Sequence, residues 1–161
     1  MSGGDRAVFL ARLGHVAEDS PWVAERAWER GPFPDADATA DAFAAVAREA
    51  APGEQLALIR AHPDLAGRAA LAGELTADSA REQASAGLDR LTPADLARFT
   101  RLNDAYRERF GFPFVIRVAG RSVADILDAY DARLGNDADA ERATAIEEIA
   151  GIIRLRIEGA A

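Results

Sequence analysis

Only one stretch of this 161-residue chain, Phe112-Pro113-Phe114-Val115-Ile116-Arg117-Val118, has the apolar, β-branched composition of a strand. A strand needs a neighbour to take up its backbone N–H and C=O groups, and nothing else in the sequence offers one. Pro113 also removes a ladder donor. The run therefore predicts a buried extended segment outside any sheet. Everything else must be built from helices. The expected fold class is all-α, a single-domain bundle of about eight helices over 1–161. A chain of this length buries roughly 68–70% of its unfolded surface.

Start and stop residues punctuate the helices. Asp5 is placed to cap a first helix carrying Val8, Leu10, Leu13 and Val16, with Gly14 weakening its end. Ser20-Pro21 sets an N-cap before a first-turn proline and opens the helix through Trp22 and Trp28; Gly31-Pro32-Phe33-Pro34 closes it. Asp37 or Thr39 caps a third helix with Phe43, Val46 and Ala47 at core spacing, and Pro52-Gly53-Glu54 starts a fourth carrying Leu56, Leu58 and Ile59. The stretch from Leu65 to Leu75 has no clear period. Thr76 and Ser79 are both N-cap candidates, and Ser79 with Glu82 has the spacing of a capping box. Thr92-Pro93-Ala94-Asp95 opens a long helix through Phe99, Tyr106 and Phe110, which Gly111 stops. Ser122 caps the helix of Ile126, Leu127, Tyr130 and Leu134, ended by Gly135-Asn136. The last helix starts at Asp137 or Asp139 and carries Ile146, Ile149, Ile152, Ile153 and Ile157.

Composition removes whole classes of function. With no cysteine there are no disulfides, thiolate metal sites or cysteine nucleophiles. A net charge of −8 leaves no excess of arginine to neutralise phosphates, which argues against nucleic acid as a partner. No apolar run approaches 18 residues, so no membrane-spanning helix is expected. Met1 to Asp5 lack the basic patch and apolar core of a signal peptide, and Gly159-Ala160-Ala161 is not a peroxisomal address. A cytoplasmic location is expected. Metal-binding histidine motifs, glycine-rich phosphate loops and Gly-x-Ser-x-Gly are all missing, so no metal is expected.

What remains is a set of polar residues beside apolar segments. His62 directly precedes Pro63, which pushes it out of the helical region, so the fourth helix ends there and the imidazole is fixed on a corner. An imidazole titrates near neutrality and suits proton transfer. Ser79, Glu82 and Gln83 share one helical face at i, i+3 and i+4. Arg117 interrupts the extended run, and Arg156 interrupts the stripe Ile153-Leu155-Ile157. Taken singly, the serine and glutamate are helix caps and the arginines reach solvent. His15 reads as a solvated residue of the first helix. A non-catalytic module presenting Phe112–Val118 to a partner is the competing reading, and it requires that segment to be exposed.

Taken together, the motifs resemble one family. His62-Pro63-Asp64-Leu65, Ser79-x-x-Glu82-Gln83 with Ala86-Gly87-Leu88, Leu102-Asn103-x-x-Tyr106, Phe110-Gly111-Phe112-Pro113-Phe114-Val115-Ile116 and Leu155-Arg156-Ile157 occur in the order and spacing of the OHCU decarboxylases of urate degradation. OHCU is 2-oxo-4-hydroxy-4-carboxy-5-ureidoimidazoline. The resemblance implies an all-α, cofactor-free homodimer that turns this small molecule into (S)-allantoin. His62 matches the family's catalytic histidine and Glu82 its catalytic carboxylate. Pro63, Ser79, Ala80, Arg81, Gln83, Phe114, Val115, Ile116, Arg117, Val118 and Arg156 match substrate-contacting positions. Ala119 stands where many relatives carry a basic residue, with Arg117 and Arg121 flanking the gap.

Overall fold

Helix-terminating chemistry divides the chain much as its sequence predicts. The computed structural model describes residues 3–160, so the readings that rest on Met1, Ser2 and Ala161 lie outside it. The described residues form nine helices and no strand. They are α1 (Gly3–Leu13), α2 (Pro21–Trp28), α3 (Ala36–Glu49), α4 (Pro52–Arg60), α5 (Arg68–Leu71), α6 (Ala77–Ser85), α7 (Pro93–Phe110), α8 (Val123–Arg133) and α9 (Ala138–Ala160). The ninth relative to expectation is α5, one turn inside the stretch that shows no period. The run from Phe112 to Val118 is irregular and buried except at Arg117, as its sequence predicts. Burial removes the ground for the competing reading, which needs that segment on the surface.

Several caps differ from expectation, each for a local reason. Asp5 lies within the first turn of α1 rather than ahead of it. Ser20 sits at the N-cap of α2, but its hydroxyl donates to the Glu18 carbonyl at 2.8 Å and caps nothing. Asp35, not Asp37 or Thr39, caps α3 by accepting the Ala38 N–H at 2.8 Å. Thr76 takes the cap of α6, so Ser79 falls inside the first turn and its spacing to Glu82 is not a capping box. The capping box belongs instead to Ser122 and Asp125 of α8, where the two reciprocal bonds are each 3.0 Å. Asp137 caps α9 through the Ala140 N–H at 2.8 Å.

Thr92 and Gly111 bound α7 as expected. The Thr92 hydroxyl accepts the Asp95 N–H at 3.1 Å, and Gly111 turns the chain at φ 77°. A side chain in that left-handed conformation costs roughly 1–2 kcal/mol. Gly111→Ala should therefore lower stability by about that amount, read as a shift of the urea midpoint at unchanged slope.

The described residues form two compact units, one from 3–61 with 146–160 and one from 62–145. In the first, Phe9 packs on Trp28 and Phe43 at centroid distances of 5.1 and 6.1 Å. Three ion pairs fasten the C-terminal part of α9 to α3: Arg48 to Glu147 at 2.7 Å, and Arg154 to Asp37 at 3.2 Å and to Asp41. In the second, the core is aromatic. Tyr106 meets Phe114 edge-on at 5.3 Å, and Phe114 stacks on Tyr130 at 3.8 Å with 17° between the planes.

Candidate active site

The site is built outward from the corner at His62. Helix α4 stops at Arg60, and His62 is 5% exposed. Beyond it the backbone is irregular, so its polar groups need partners other than helical ones. Two buried side chains of the same unit supply them. Gln83 accepts the Ala66 N–H on Oε1 at 3.0 Å and donates Nε2 to the Asp64 carbonyl at 3.3 Å. Asn103 donates Nδ2 to the Leu65 carbonyl at 2.9 Å. The Asp64 carboxylate accepts Nε of Arg107, 3.1 Å from each oxygen. Ala66 is held at φ 49°, a left-handed conformation that alanine adopts only when its surroundings impose it. At Gly67 a Cβ would lie 2.7 Å from the Asp64 Cβ, so the turn admits no side chain there.

Helix α6 brings up the polar face. Ser79 and Gln83 are buried and Glu82 is half-buried, while Ala80 and Arg81 are exposed and Arg81 pairs with Asp78. Of these residues, Gln83 touches the histidine corner through its bonds to Asp64 and Ala66. Two clefts adjoin the corner. One of about 760 Å³ is lined by Asp64, Gly67, Asn103 and Arg107; another of about 530 Å³ is lined by Ala66, Ala80, Gln83 and Leu88.

The extended segment is anchored from α8. Arg133 Nη1 donates to the Val115 carbonyl at 2.7 Å, and its guanidinium lies 4.3 Å from the Phe114 ring centroid. Arg133 Nε also meets the carboxylate of Glu141, which is fully buried and accepts Asn136 Nδ2 at 2.9 Å and the Tyr106 hydroxyl. Burial, and next the bond to Glu141, pushes the Tyr106 phenol well above its ordinary range, so it stays a neutral donor. Phe114, Val115, Ile116 and Val118 are buried, whereas the Arg117 side chain faces solvent. Near Ala119, Arg121 folds back so that its Nε donates to the Arg117 carbonyl at 2.9 Å.

Arg156 belongs to the other unit. Its side chain is 2% exposed and does not reach solvent; Nη2 meets Glu18 at 3.1 Å and Nη1 donates to the Val16 carbonyl at 3.4 Å. Leu155, beside it, is the more exposed of the two, so the arginine has displaced a leucine from the inward stripe. His15 is exposed, as expected, although it lies beyond the end of α1.

Sequence reasoning missed Glu18, Arg133 and Glu141, and took Tyr130 only as core. Glu18 and Glu141 have no local signal, since acidic residues at such positions are normally solvated. Among the described residues, no group of three or more histidines and carboxylates gathers to hold a metal ion. No described helix is long and apolar enough to cross a membrane. What the second unit offers is a buried imidazole on a clamped corner, and a helix face bearing a hydroxyl, a carboxylate and a carboxamide. Those groups suit proton transfer and the hydrogen-bonded recognition of a small polar molecule.

Comparison with known proteins points the same way. The family model for OHCU decarboxylase matches residues 3–158. A 2-oxo-4-hydroxy-4-carboxy-5-ureidoimidazoline decarboxylase from Halalkalicoccus jeotgali is 43% identical over 158 residues, 98% of this chain and 88% of that one. The Mus musculus protein of the same name is 37% identical over 153 residues, covering 95% and 86%. A crystal structure of (S)-allantoin synthase superposes with a TM-score of 0.76 at 27% identity, over 96% of this chain and 50% of that one. A structure of OHCU decarboxylase in the presence of (S)-allantoin shares the fold, with a TM-score of 0.73 at 23% identity over 89% and 93%.

Proposed function

The chain belongs to the OHCU decarboxylase family, and from that premise we propose that it decarboxylates OHCU to (S)-allantoin in urate degradation. What supports the reading is the corner itself. Two motifs that the resemblance assigns to one site, His62-Pro63-Asp64-Leu65 and Ser79-x-x-Glu82-Gln83, are joined by the two hydrogen bonds of Gln83.

The reaction asks for what these residues carry. The bond from the ring carbon to its carboxylate breaks, carbon dioxide leaves, and the electron pair moves onto the adjacent C=N bond of the substrate, whose nitrogen takes up a proton. The hydroxyl then gives up its proton as a carbonyl forms, and the neighbouring carbon takes a proton on one face. One proton enters per carbon dioxide released. His62 exchanges that proton with the hydroxyl or the nascent carbanion, and Glu82 orients the imidazole or accepts the ureido N–H groups. Ser79 and Gln83 read the ring's amide edges. A carboxamide has two N–H donors and two lone pairs, so Gln83 keeps one of each for substrate while it clamps the corner. Pro63, Ala80, Arg81 and the Phe114–Val118 segment with Arg117 line the substrate. Arg156, a substrate-contacting position by the resemblance, is the candidate for the substrate carboxylate, since guanidinium and carboxylate form paired bonds. A homodimer and a cytoplasmic location complete the proposal; sedimentation at twice the monomer mass checks the first.

The decisive experiment follows the chirality of the product from freshly generated OHCU. Excess (S)-allantoin formed faster than the spontaneous decay is the expected result. Racemic allantoin at the spontaneous rate overturns the assignment.

A further inference from the structure

We propose that Asn103 and Tyr130 are positioning residues for this reaction: one carboxamide and one phenol hold the backbone after His62 in register with the Phe114–Val118 segment. The catalytic consequence rests on the proposed function; the mechanical link rests on the geometry of the second unit alone.

Neither segment is regular secondary structure, so neither is held by its own ladder. Each is nevertheless tied to the same pair. Asn103, buried on α7, donates to the Leu65 carbonyl at 2.9 Å, three residues past His62. Its Oδ1 accepts the hydroxyl of Tyr130, which is fully buried on α8. The Tyr130 ring in turn stacks on Phe114 at 3.8 Å, with Phe99 edge-on against it at 5.8 Å. One turn along α8, Arg133 takes the next carbonyl, that of Val115. The path from Leu65 to Phe114 thus runs through a single amide plane.

Chemistry explains why the pair is polar. A leucine at 103 and a phenylalanine at 130 would fill the same space without two desolvated polar groups. The amide has one orientation here, because its nitrogen must face the Leu65 carbonyl and its oxygen the Tyr130 hydroxyl. A twist of the amide therefore shifts both segments together. The strained backbone at Ala66 needs such over-determination to persist.

Tyr130→Phe removes one oxygen and leaves the ring stack. A misplacement near 1 Å costs about 10²-fold in rate, so the variant is expected to lose about 10- to 100-fold in kcat with KM little changed. Asn103→Asp keeps the acceptor for Tyr130 and removes the donor to Leu65, and the double variant is expected to lose less than the product of the two single losses. The chain has only two histidines, so the His62 ring signals are easily assigned by NMR, with His15 as the internal control. In Tyr130→Phe, folded by circular dichroism, the His62 signals should move and exchange of the Ala66 amide should quicken, while His15 stays put. Wild-type kcat together with unmoved His62 signals overturns the link and leaves the proposed function standing. Wild-type protein that fails to accelerate OHCU decay, in the presence of those shifts, sinks the function and leaves the link standing. If Tyr130→Phe does not fold, the same readouts on Asn103→Asp decide.

Discussion

Replacing His62 with alanine is expected to lower the turnover of OHCU by about 10²–10⁴-fold, the usual share of positioned acid–base catalysis, without altering helical circular dichroism. His62 lies beyond the end of α4, and the corner stays clamped by Gln83, Asn103 and Arg107. His62→Gln, which keeps most of the side-chain volume, separates lost chemistry from a cavity. Glu82→Gln should fall in the same range if the carboxylate's charge sustains the imidazole. A smaller loss would indicate that it serves only as a hydrogen-bond acceptor. Because OHCU also decays unaided, product chirality is the sharper measurement. A folded His62→Ala protein that still gives (S)-allantoin at the wild-type rate would remove the histidine from the mechanism.

Much of this architecture is legible in the sequence because helix ends are local events. Thr92-Pro93, Ser122 and Gly111 act within a turn of themselves, and each works as read. The lone extended run is legible for a related reason: a strand without a partner is excluded by counting. Where two candidates compete within one turn, local chemistry alone does not choose. Thr76 and Ser79 are equally good caps in isolation; Thr76 wins, and Ser79 is left buried on the helix face that carries Glu82 and Gln83. The support of the site is not legible because it joins residues far apart in sequence. Asn103 reaches back 38 residues to Leu65, and Tyr106 reaches forward 35 to Glu141. Tyr130 shows how a core residue conceals a polar function. Its ring satisfies the apolar periodicity of α8, and only its hydroxyl gives the second role away. Arg156 shows the converse. A charge inside an apolar stripe ordinarily reaches for water, and only the burial of Glu18 beside it makes an inward orientation tolerable.

Breaking that buried pair is expected to give the largest loss of stability of any single substitution here. Arg156 and Glu18 each have side chains 2% exposed, and the contact between them is 3.1 Å. Desolvating two charges consumes much of what their attraction returns, so the intact pair adds little net stability. Removing one partner is different, because the other is left charged and dry. Arg156→Met or Glu18→Leu alone should therefore cost about 3–5 kcal/mol, lowering the thermal midpoint by on the order of 10 °C. The double substitution should recover most of that loss, since an apolar pair of similar volume owes no charge desolvation. Denaturant titration of the wild type, both single variants and the double variant closes the cycle. Strong positive coupling is the expected result. Single losses below about 1 kcal/mol would mean that the pair reaches water in solution, as exposed ion pairs do. Activity should be compared only among variants folded at the assay temperature. Under that condition, Arg156→Met tests the carboxylate role proposed for it: a raised KM for OHCU supports it, and an unchanged kcat/KM confines Arg156 to holding Glu18.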